Sequence, residues 1–78
     1  RGKNWERAEK QFLTALQFVP NNPQVLNYLG YSWIDQGVNI NRALEMIVNA
    51  AEQRPDDGYI IDSLGWAYFQ IGNYEEAV

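Results

Sequence analysis

The sequence predicts an all-α fold in which antiparallel helix pairs stack on one another. The first observation is a repeat with a period of 35 residues. Four repeated positions are Leu26, Leu29, Gly30 and Trp33, which return as Ile61, Leu64, Gly65 and Tyr68. The second is apolar spacing typical of helices, with no alternation long enough for a strand. The third is that the loops are short, which makes consecutive helices antiparallel neighbours. Periods of roughly 20 to 50 residues are typical of solenoids.

The first two helices have clear boundaries. The first is predicted from about Asn4, a candidate N-cap, to Pro20. Its apolar residues recur at helical spacing and are Trp5, Ala8, Phe12, Ala15, Leu16 and Val19. Asn22 and Pro23 then provide an N-cap and a proline at the first helical position, where a missing N–H costs nothing. The second helix should end at Gly37, a C-terminal capping residue.

The remaining helices follow the same pattern. The third is predicted from about Ile40 to Gln53, before Pro55. Asp56-Asp57-Gly58 forms a turn, and the fourth helix runs from there to Gly72. Residues 73–76 have the spacing of a capping box and should open a fifth helix, which the sequence truncates. About five helices are therefore expected.

Small residues inside the helices indicate close packing. Gly30 and Gly65 lie within helices, where glycine costs ~1 kcal/mol relative to alanine. Alanines occupy equivalent places of successive repeats at positions 8, 43 and 77 and at positions 15 and 50. Bulky side chains opposite such gaps allow helices to interlock.

These positions resemble the tetratricopeptide repeat, a helix–turn–helix unit of about 34 residues. The complete motif comprises Leu26, Leu29, Gly30, Trp33, Ala43, Ile47, Ala50 and Pro55. The preceding partial motif comprises Trp5, Ala8, Phe12, Ala15 and Pro20. The following one comprises Ile61, Leu64, Gly65, Tyr68, Gly72, Tyr74 and Ala77. The resemblance implies a right-handed superhelical stack across residues 1–78: the second helix of a repeat at 4–20, a complete repeat at 22–55 and a partial repeat at 57–78.

Composition limits the functions that the chain could have. A net charge of −4 argues against a nucleic-acid partner. Histidine and cysteine are absent, so the usual carriers of neutral-pH acid–base chemistry, thiol chemistry and structural metal binding are missing. No apolar run is long enough for a membrane span. We therefore expect no enzyme activity, cofactor, metal or direct membrane insertion.

Two acidic features have the residue types of chemical sites. Asp35 and Asp62 could form a carboxylate pair, but repeat alignment offsets them by roughly 12 Å, too far to share a site. Asp56-Asp57-Gly58 could suggest calcium, yet the alternating ligands and distal Glu of an EF-hand are missing. A turn followed by an N-cap explains this tripeptide better.

The resemblance places a peptide-binding groove on the first helices of successive repeats. The residues expected to line it are Gln24, Asn27, Tyr31, Ile34, Asp35, Tyr59, Asp62, Trp66, Phe69 and Gln70. We expect Tyr31, Tyr59 and Trp66 to anchor an extended segment or helix of another protein. Asn27 and Asp62 would fix its orientation. Neither helix has a basic residue in the groove, so capture of a carboxylate is not expected. The alternative is that these aromatic residues only pack between repeats.

A second interpretation makes the segment a spacer or a self-association module. The sequence starts without methionine and stops inside an apparent helix, so we expect a piece of a longer protein. Residues 31–37 and 55–66 resemble stretches of large multi-repeat bacterial proteins, which implies a bacterial scaffold. Cut ends would leave helix faces uncovered, which favours pairing between copies. The absence of cysteine fits either a cytoplasmic or an envelope compartment, and the sequence identifies no individual partner.

Overall fold

The computed structural model describes the backbone of residues 3–77 and the side chains of residues 4–76. This part of the chain contains four α-helices and no strand. They are α1 (Lys3–Phe18), α2 (Pro23–Gln36), α3 (Ile40–Gln53) and α4 (Gly58–Ala77). The side chain of Ala77 and all of Arg1 and Val78 lie outside the described residues. Asn4 lies inside α1, so it is not the N-cap that the sequence predicts.

The ends of α2 are formed as the sequence predicts. The Oδ1 atom of Asn22 accepts hydrogen bonds from the backbone N–H groups of Gln24 and Val25. Gly37 adopts a left-handed conformation, with φ of 76°. Its N–H donates to the Ile34 carbonyl, and the N–H of Val38 donates to the Trp33 carbonyl. These two bonds form the Schellman motif, which satisfies the last carbonyls of the helix.

The beginnings of α3 and α4 differ from each other. The Asp57 side chain accepts hydrogen bonds from the N–H groups of Tyr59 and Ile60 and so caps α4. Asn39 precedes α3 without such a side-chain bond and has φ of 48°. Asparagine tolerates this left-handed conformation better than most residues. The loop of residues 37–39 therefore reverses the chain between α2 and α3.

The predicted break at Gly72 does not occur. Helix α4 runs without interruption from Gly58 to Ala77, and Gly37 is the only glycine with positive φ among the described residues. A glycine within a helix costs only ~1 kcal/mol, whereas a break would remove several hydrogen bonds of the helix. The continuous helix also brings the Tyr74 hydroxyl to the Ile34 carbonyl, to which it donates at 2.6 Å. The expectation of a separate fifth helix is wrong for the described residues.

Helix α2 is the centre of the packing because it contacts the other three helices. Helix α3 packs against both α2 and α4, and α1 packs against α2. Short connections at residues 37–39 and 54–57 require α2/α3 and α3/α4 to be antiparallel, so α2 and α4 run in the same direction. The Cα atoms form a slab of 37 × 34 × 17 Å, about two helix layers thick.

The joint between α2 and α3 depends on Gly30. A methyl group at this position would lie 2.8 Å from the Ala43 carbonyl oxygen and 2.8 Å from Cγ1 of Ile47. The absence of a side chain thus allows the two helices to approach closely. The apolar core surrounds this joint and consists of Leu26, Leu29, Trp33, Ile34, Ala43, Met46, Ile47, Ala50, Ala51, Ile60 and Ala67.

Polar contacts attach α1 and its loop to the rest of the fold. The Trp33 indole N–H donates to the Glu9 carboxylate at 2.6 Å. In the loop after α1, the carbonyl of Asn21 accepts a hydrogen bond from the Gln53 side chain at 2.7 Å. The Asn21 side chain also accepts one from Asn49 at 3.1 Å. The two bonds of Asn21 connect the loop before α2 to α3.

Candidate functional site

A groove between α2 and α4

A well-defined concave surface of the described residues lies between the parallel helices α2 and α4. Its main depression has a volume of about 370 Å³. The lining residues are Asn27, Tyr28, Tyr31, Tyr59, Asp62, Ser63 and Trp66. A second depression of about 200 Å³ shares Asn27, Tyr28 and Tyr59 with it and adds Gln24, Asp57 and Ile60. The two depressions together are called the α2–α4 groove below.

Equivalent positions of the two repeats line this groove. On α2 the lining positions are 24, 27, 28 and 31, which follow the spacing i, i+3, i+4 and i+7 of one helix face. The same spacing on α4 gives positions 59, 62, 63 and 66. Each α4 position lies 35 residues after its α2 counterpart, which is the period of the sequence repeat. The groove is therefore a direct product of the repeat, in which matching faces of two parallel helices meet.

Aromatic stacking holds several groove side chains in place. The rings of Tyr31 and Trp66 stack across the two helices, with centroids 4.7 Å apart and planes inclined by 30°. Tyr28 lies parallel to Phe12 of α1, with centroids 6.1 Å apart. Trp66 is also half-buried against the apolar core. Rings held in this way lose little conformational freedom when they contact a ligand.

Two buried polar residues lie along the groove. The Ser63 hydroxyl donates to the Tyr59 carbonyl within α4 at 3.2 Å. Asn27 is only 7% exposed, and its Oδ1 atom has no hydrogen-bond partner among the described residues. An unpaired buried acceptor costs about 1–3 kcal/mol. Asn27 therefore has hydrogen-bonding capacity that the described fold does not use.

The groove is acidic. The exposed carboxylate of Asp62 lies in its main depression, and Asp57 borders the second one. No lysine or arginine lines either depression. The sequences of α2 and α4 contain no basic residue at all but carry Asp35, Asp62, Glu75 and Glu76. The electrostatic potential over these two helices should therefore attract cations.

Six of the ten residues proposed from the sequence lie in the α2–α4 groove. They are Gln24, Asn27, Tyr31, Tyr59, Asp62 and Trp66. The other four do not line it. Ile34 is a correction, because its side chain is fully buried in the core and cannot contact a bound segment. It lies two turns beyond Asn27 on the same buried edge of α2, where the apolar core begins.

The remaining three residues lie beyond the end of the groove. Asp35 is exposed, one turn past Tyr31, and lines neither depression. Phe69 is 64% exposed on α4 but likewise lies outside both depressions. Gln70 accepts a hydrogen bond from the Asn73 side chain at 3.1 Å within α4. The groove therefore ends about one helical turn earlier than the sequence predicts, at Tyr31 and Trp66.

Sequence reasoning missed Tyr28 and Ser63, which are equivalent positions of the two repeats. Each lies four residues after another lining residue, Gln24 or Tyr59, so both belong to the same helix face. The helical period could have identified them. Both are next to apolar repeat positions in the sequence, Leu29 and Leu64, so the sequence suggests a packing role for them instead.

The described residues contain no group of three or more His, Cys, Asp or Glu side chains that could hold a metal ion. Asp57, a member of the acidic turn, uses Oδ1 to cap α4. Asp62 lines the groove whereas Asp35 does not, so the groove does not contain both carboxylates. No helix in this part of the chain is both long and apolar enough to span a membrane.

Comparison with known proteins identifies one informative relative. Over 69 residues, or 88% of the chain, the sequence is 35% identical to a protein of Pseudomonas aeruginosa named as TPR repeat-containing, where TPR denotes the tetratricopeptide repeat. The chain spans 12% of that protein's length. No family model and no solved structure matches the chain. The sequence similarity, the repeat motif and the all-helical architecture together identify the chain as a segment of the tetratricopeptide-repeat family.

Proposed function

We propose that the chain is a non-catalytic protein-interaction segment whose α2–α4 groove binds an extended segment or helix of another protein. The observation that carries this proposal is the alignment of equivalent positions, half of them aromatic, along two parallel helices. Aromatic residues with polar tips are typical of recognition surfaces, because they combine apolar area with hydrogen bonding. Tyr31, Tyr59 and Trp66 act as anchors, and Asn27 and Asp62 orient the bound segment.

The segment works as part of a larger scaffold in this proposal. Family membership and the small share of the relative's length support that view. Further repeats would continue the alternation of helices into a right-handed superhelix, with the α2–α4 groove as part of a longer concave face. Such an extended surface suits a polypeptide partner better than a small molecule.

The test is selection from a library of random linear peptides displayed on phage, with the 78-residue chain as bait. Binding of the selected peptides is then measured for two groove variants, Tyr31→Ala and Trp66→Ala. Tyr68→Ala is the matched control, because Tyr68 is an exposed aromatic residue of α4 that lies outside the groove. Circular dichroism verifies that each variant is folded.

The proposal predicts that the selected peptides bind at least about tenfold more weakly to the two groove variants and equally to the control. Because Trp66 also packs against the core, Tyr59→Ala provides a third groove variant at a residue that is 72% exposed. Peptides that bind all folded groove variants as well as the unchanged chain would refute the groove as the binding surface.

One observation favours self-association as an alternative function. Helix α4 exposes Ile61, Tyr68 and Phe69, and a methyl group at Gly65 or Gly72 would meet nothing within 4 Å. This face has small residues like those of the α2–α3 joint, but no helix of residues 3–77 packs on them. Sedimentation of the chain beside a longer segment of its parent protein separates the two functions. Dimers of both would favour native self-association, whereas dimers of the short chain alone would indicate an uncovered helix face.

A further inference from the structure

We propose that the α2–α4 groove selects a basic protein segment and receives one of its arginine side chains between Tyr31, Tyr59, Trp66 and Asp62. This inference rests on the proposed function and specifies the chemistry of the partner. Three independent features of the groove carry it: the density of aromatic rings, the charge of the two helices and an unused hydrogen-bond acceptor.

The aromatic rings provide the first argument. Four of the seven residues that line the main depression are aromatic, namely Tyr28, Tyr31, Tyr59 and Trp66. Tyr31 is 39% exposed and Tyr59 is 72% exposed, so ring surface remains accessible. Cations are attracted to the faces of such rings, most strongly to that of tryptophan, and several rings around one site form a cage for a cationic group. A depression of 370 Å³ lies within the usual size range of ligand pockets.

The charge of the groove provides the second argument. Asp62 lies on α4 between Tyr59 and Trp66, at i+3 and i−4 from them, so its carboxylate shares their helix face. No basic side chain of the groove neutralises it. An apolar or acidic occupant would cover this carboxylate without pairing it, which opposes binding. A cationic side chain would pair with it and with the aromatic rings at once.

The unused acceptor of Asn27 favours arginine over lysine as the bound side chain. Asn27 borders both depressions, and its Oδ1 atom is buried without a partner among the described residues. Rotation of the amide by about 180° exchanges its oxygen and nitrogen atoms, so the position now held by the nitrogen can hold the acceptor. A guanidinium group has five N–H donors in one plane, so it can bond to Asp62 and Asn27 while it stacks on a ring. A lysine ammonium group lacks this planar geometry.

The experiment is a nuclear magnetic resonance titration of the ¹⁵N-labelled 78-residue chain. The probe is a capped peptide in which arginine and glycine alternate. The matched peptide replaces each arginine with citrulline, which has nearly the same shape but no charge. The arginine peptide should shift the Trp66 indole signal and the Tyr59 and Asp62 amides. The citrulline peptide should bind about tenfold more weakly than the arginine peptide. A third peptide, with lysine in place of each arginine, should also bind more weakly than the arginine peptide.

Variants with matched controls locate the charge that is recognised. Asp62→Asn should weaken binding of the arginine peptide about fivefold, which corresponds to an exposed ion pair. Asp35→Asn should leave its affinity unchanged, because Asp35 is equally an exposed carboxylate but lies outside the groove. Tyr59→Leu should weaken binding through the loss of one ring. Amide spectra of each variant verify that the fold is retained.

Different results overturn the inference and the function on which it rests. Equal affinities for the arginine and citrulline peptides, or equal effects of Asp62→Asn and Asp35→Asn, would refute arginine recognition. If phage-selected peptides still depended on Tyr31, the groove would nevertheless bind protein segments. If neither the arginine peptide nor any selected peptide perturbed the α2–α4 groove, both proposals would be wrong.

Discussion

At the scale of single residues, the surroundings of a glycine determine what it contributes. Gly30 and Gly65 occupy the same place in the repeat, and both cost helix stability. Only Gly30 is compensated in the described structure, because α3 packs directly against it. A side chain at Gly65 would meet nothing within 4 Å. A glycine at this repeat position therefore permits close helix packing, but the packing occurs only where a neighbouring helix is present.

Alanine at these two glycines should have opposite effects on stability. Gly30→Ala places a methyl group against the backbone of Ala43; such overpacking typically costs ~1–3 kcal/mol, against ~1 kcal/mol regained in helix propensity. The free energy of unfolding should fall by about 1 kcal/mol. Gly65→Ala should raise it by about 0.5–1 kcal/mol. Urea denaturation measures both variants, and a loss of stability in Gly65→Ala would show that α4 is packed differently.

A second residue-scale prediction concerns Tyr74. Its hydroxyl donates to the Ile34 carbonyl at the end of α2, which links the last turns of α4 to the preceding repeat. Tyr74→Phe removes this hydrogen bond and should lower the free energy of unfolding by about 1 kcal/mol. Tyr68→Phe is the matched control, since Tyr68 is 55% exposed, and it should change little. Equal stability of the two variants would contradict the contact between α4 and α2.

At the scale of helices, the same glycine motif has two outcomes. Gly37 ends α2 in a left-handed conformation, whereas its repeat counterpart Gly72 lies inside α4. Gly72 is nevertheless followed by a local signal for a new helix, since Asn73 and Glu76 have the spacing of a capping box. Helix α4 continues through Gly72 despite this signal, because the uninterrupted helix keeps its backbone hydrogen bonds and gains the hydrogen bond from Tyr74 to Ile34.

Alanine substitution distinguishes these two conformations. Gly37→Ala forces a residue with a side chain into the left-handed region and should cost about 1–2 kcal/mol. Gly72→Ala fills open space within a helix and should stabilise the chain by about 0.5–1 kcal/mol. Thermal or urea unfolding gives both values. Destabilisation by Gly72→Ala would instead indicate that α4 breaks at this residue.

Local sequence rules predict most of the helix boundaries. Asn22 with Pro23, Gly37 and the range of α3 agree with the sequence interpretation, because caps depend on neighbouring backbone groups. The beginning of α1 and the break at Gly72 do not. The latter depends on a contact with Ile34, 40 residues away, which no local pattern reports.

The groove could be predicted in part for a similar reason. Helical spacing within one repeat and the 35-residue period together give the lining positions, including Tyr28 and Ser63. Ile34 has the same spacing, yet it is buried because the core closes over that end of α2. Where a helix face changes from groove to core is set by the helices that pack beside it. The stacking of Tyr31 on Trp66 and the unpaired Asn27 oxygen likewise arise only from packing.

At the scale of the whole molecule, residues that are equivalent in the sequence repeat come together on one surface. The parallel helices α2 and α4 place these residues side by side, and α3 packs against both helices. The exposed carboxylate of Asp62 then lies in this groove, which no lysine or arginine lines. Binding of basic peptides should weaken as salt concentration rises, because this charge is exposed to solvent.

The contact between Tyr31 and Trp66 tests this arrangement most directly. The two ring centroids lie 4.7 Å apart, so nuclear Overhauser effects should connect the Trp66 indole protons with the ring protons of Tyr31. Contacts between Gly30 and Ile47 provide an internal reference for the α2–α3 joint. Strong Tyr31–Trp66 signals would establish that matching faces of the two repeats meet in register. Their absence in a chain that retains the Gly30–Ile47 signals would contradict the α2–α4 groove.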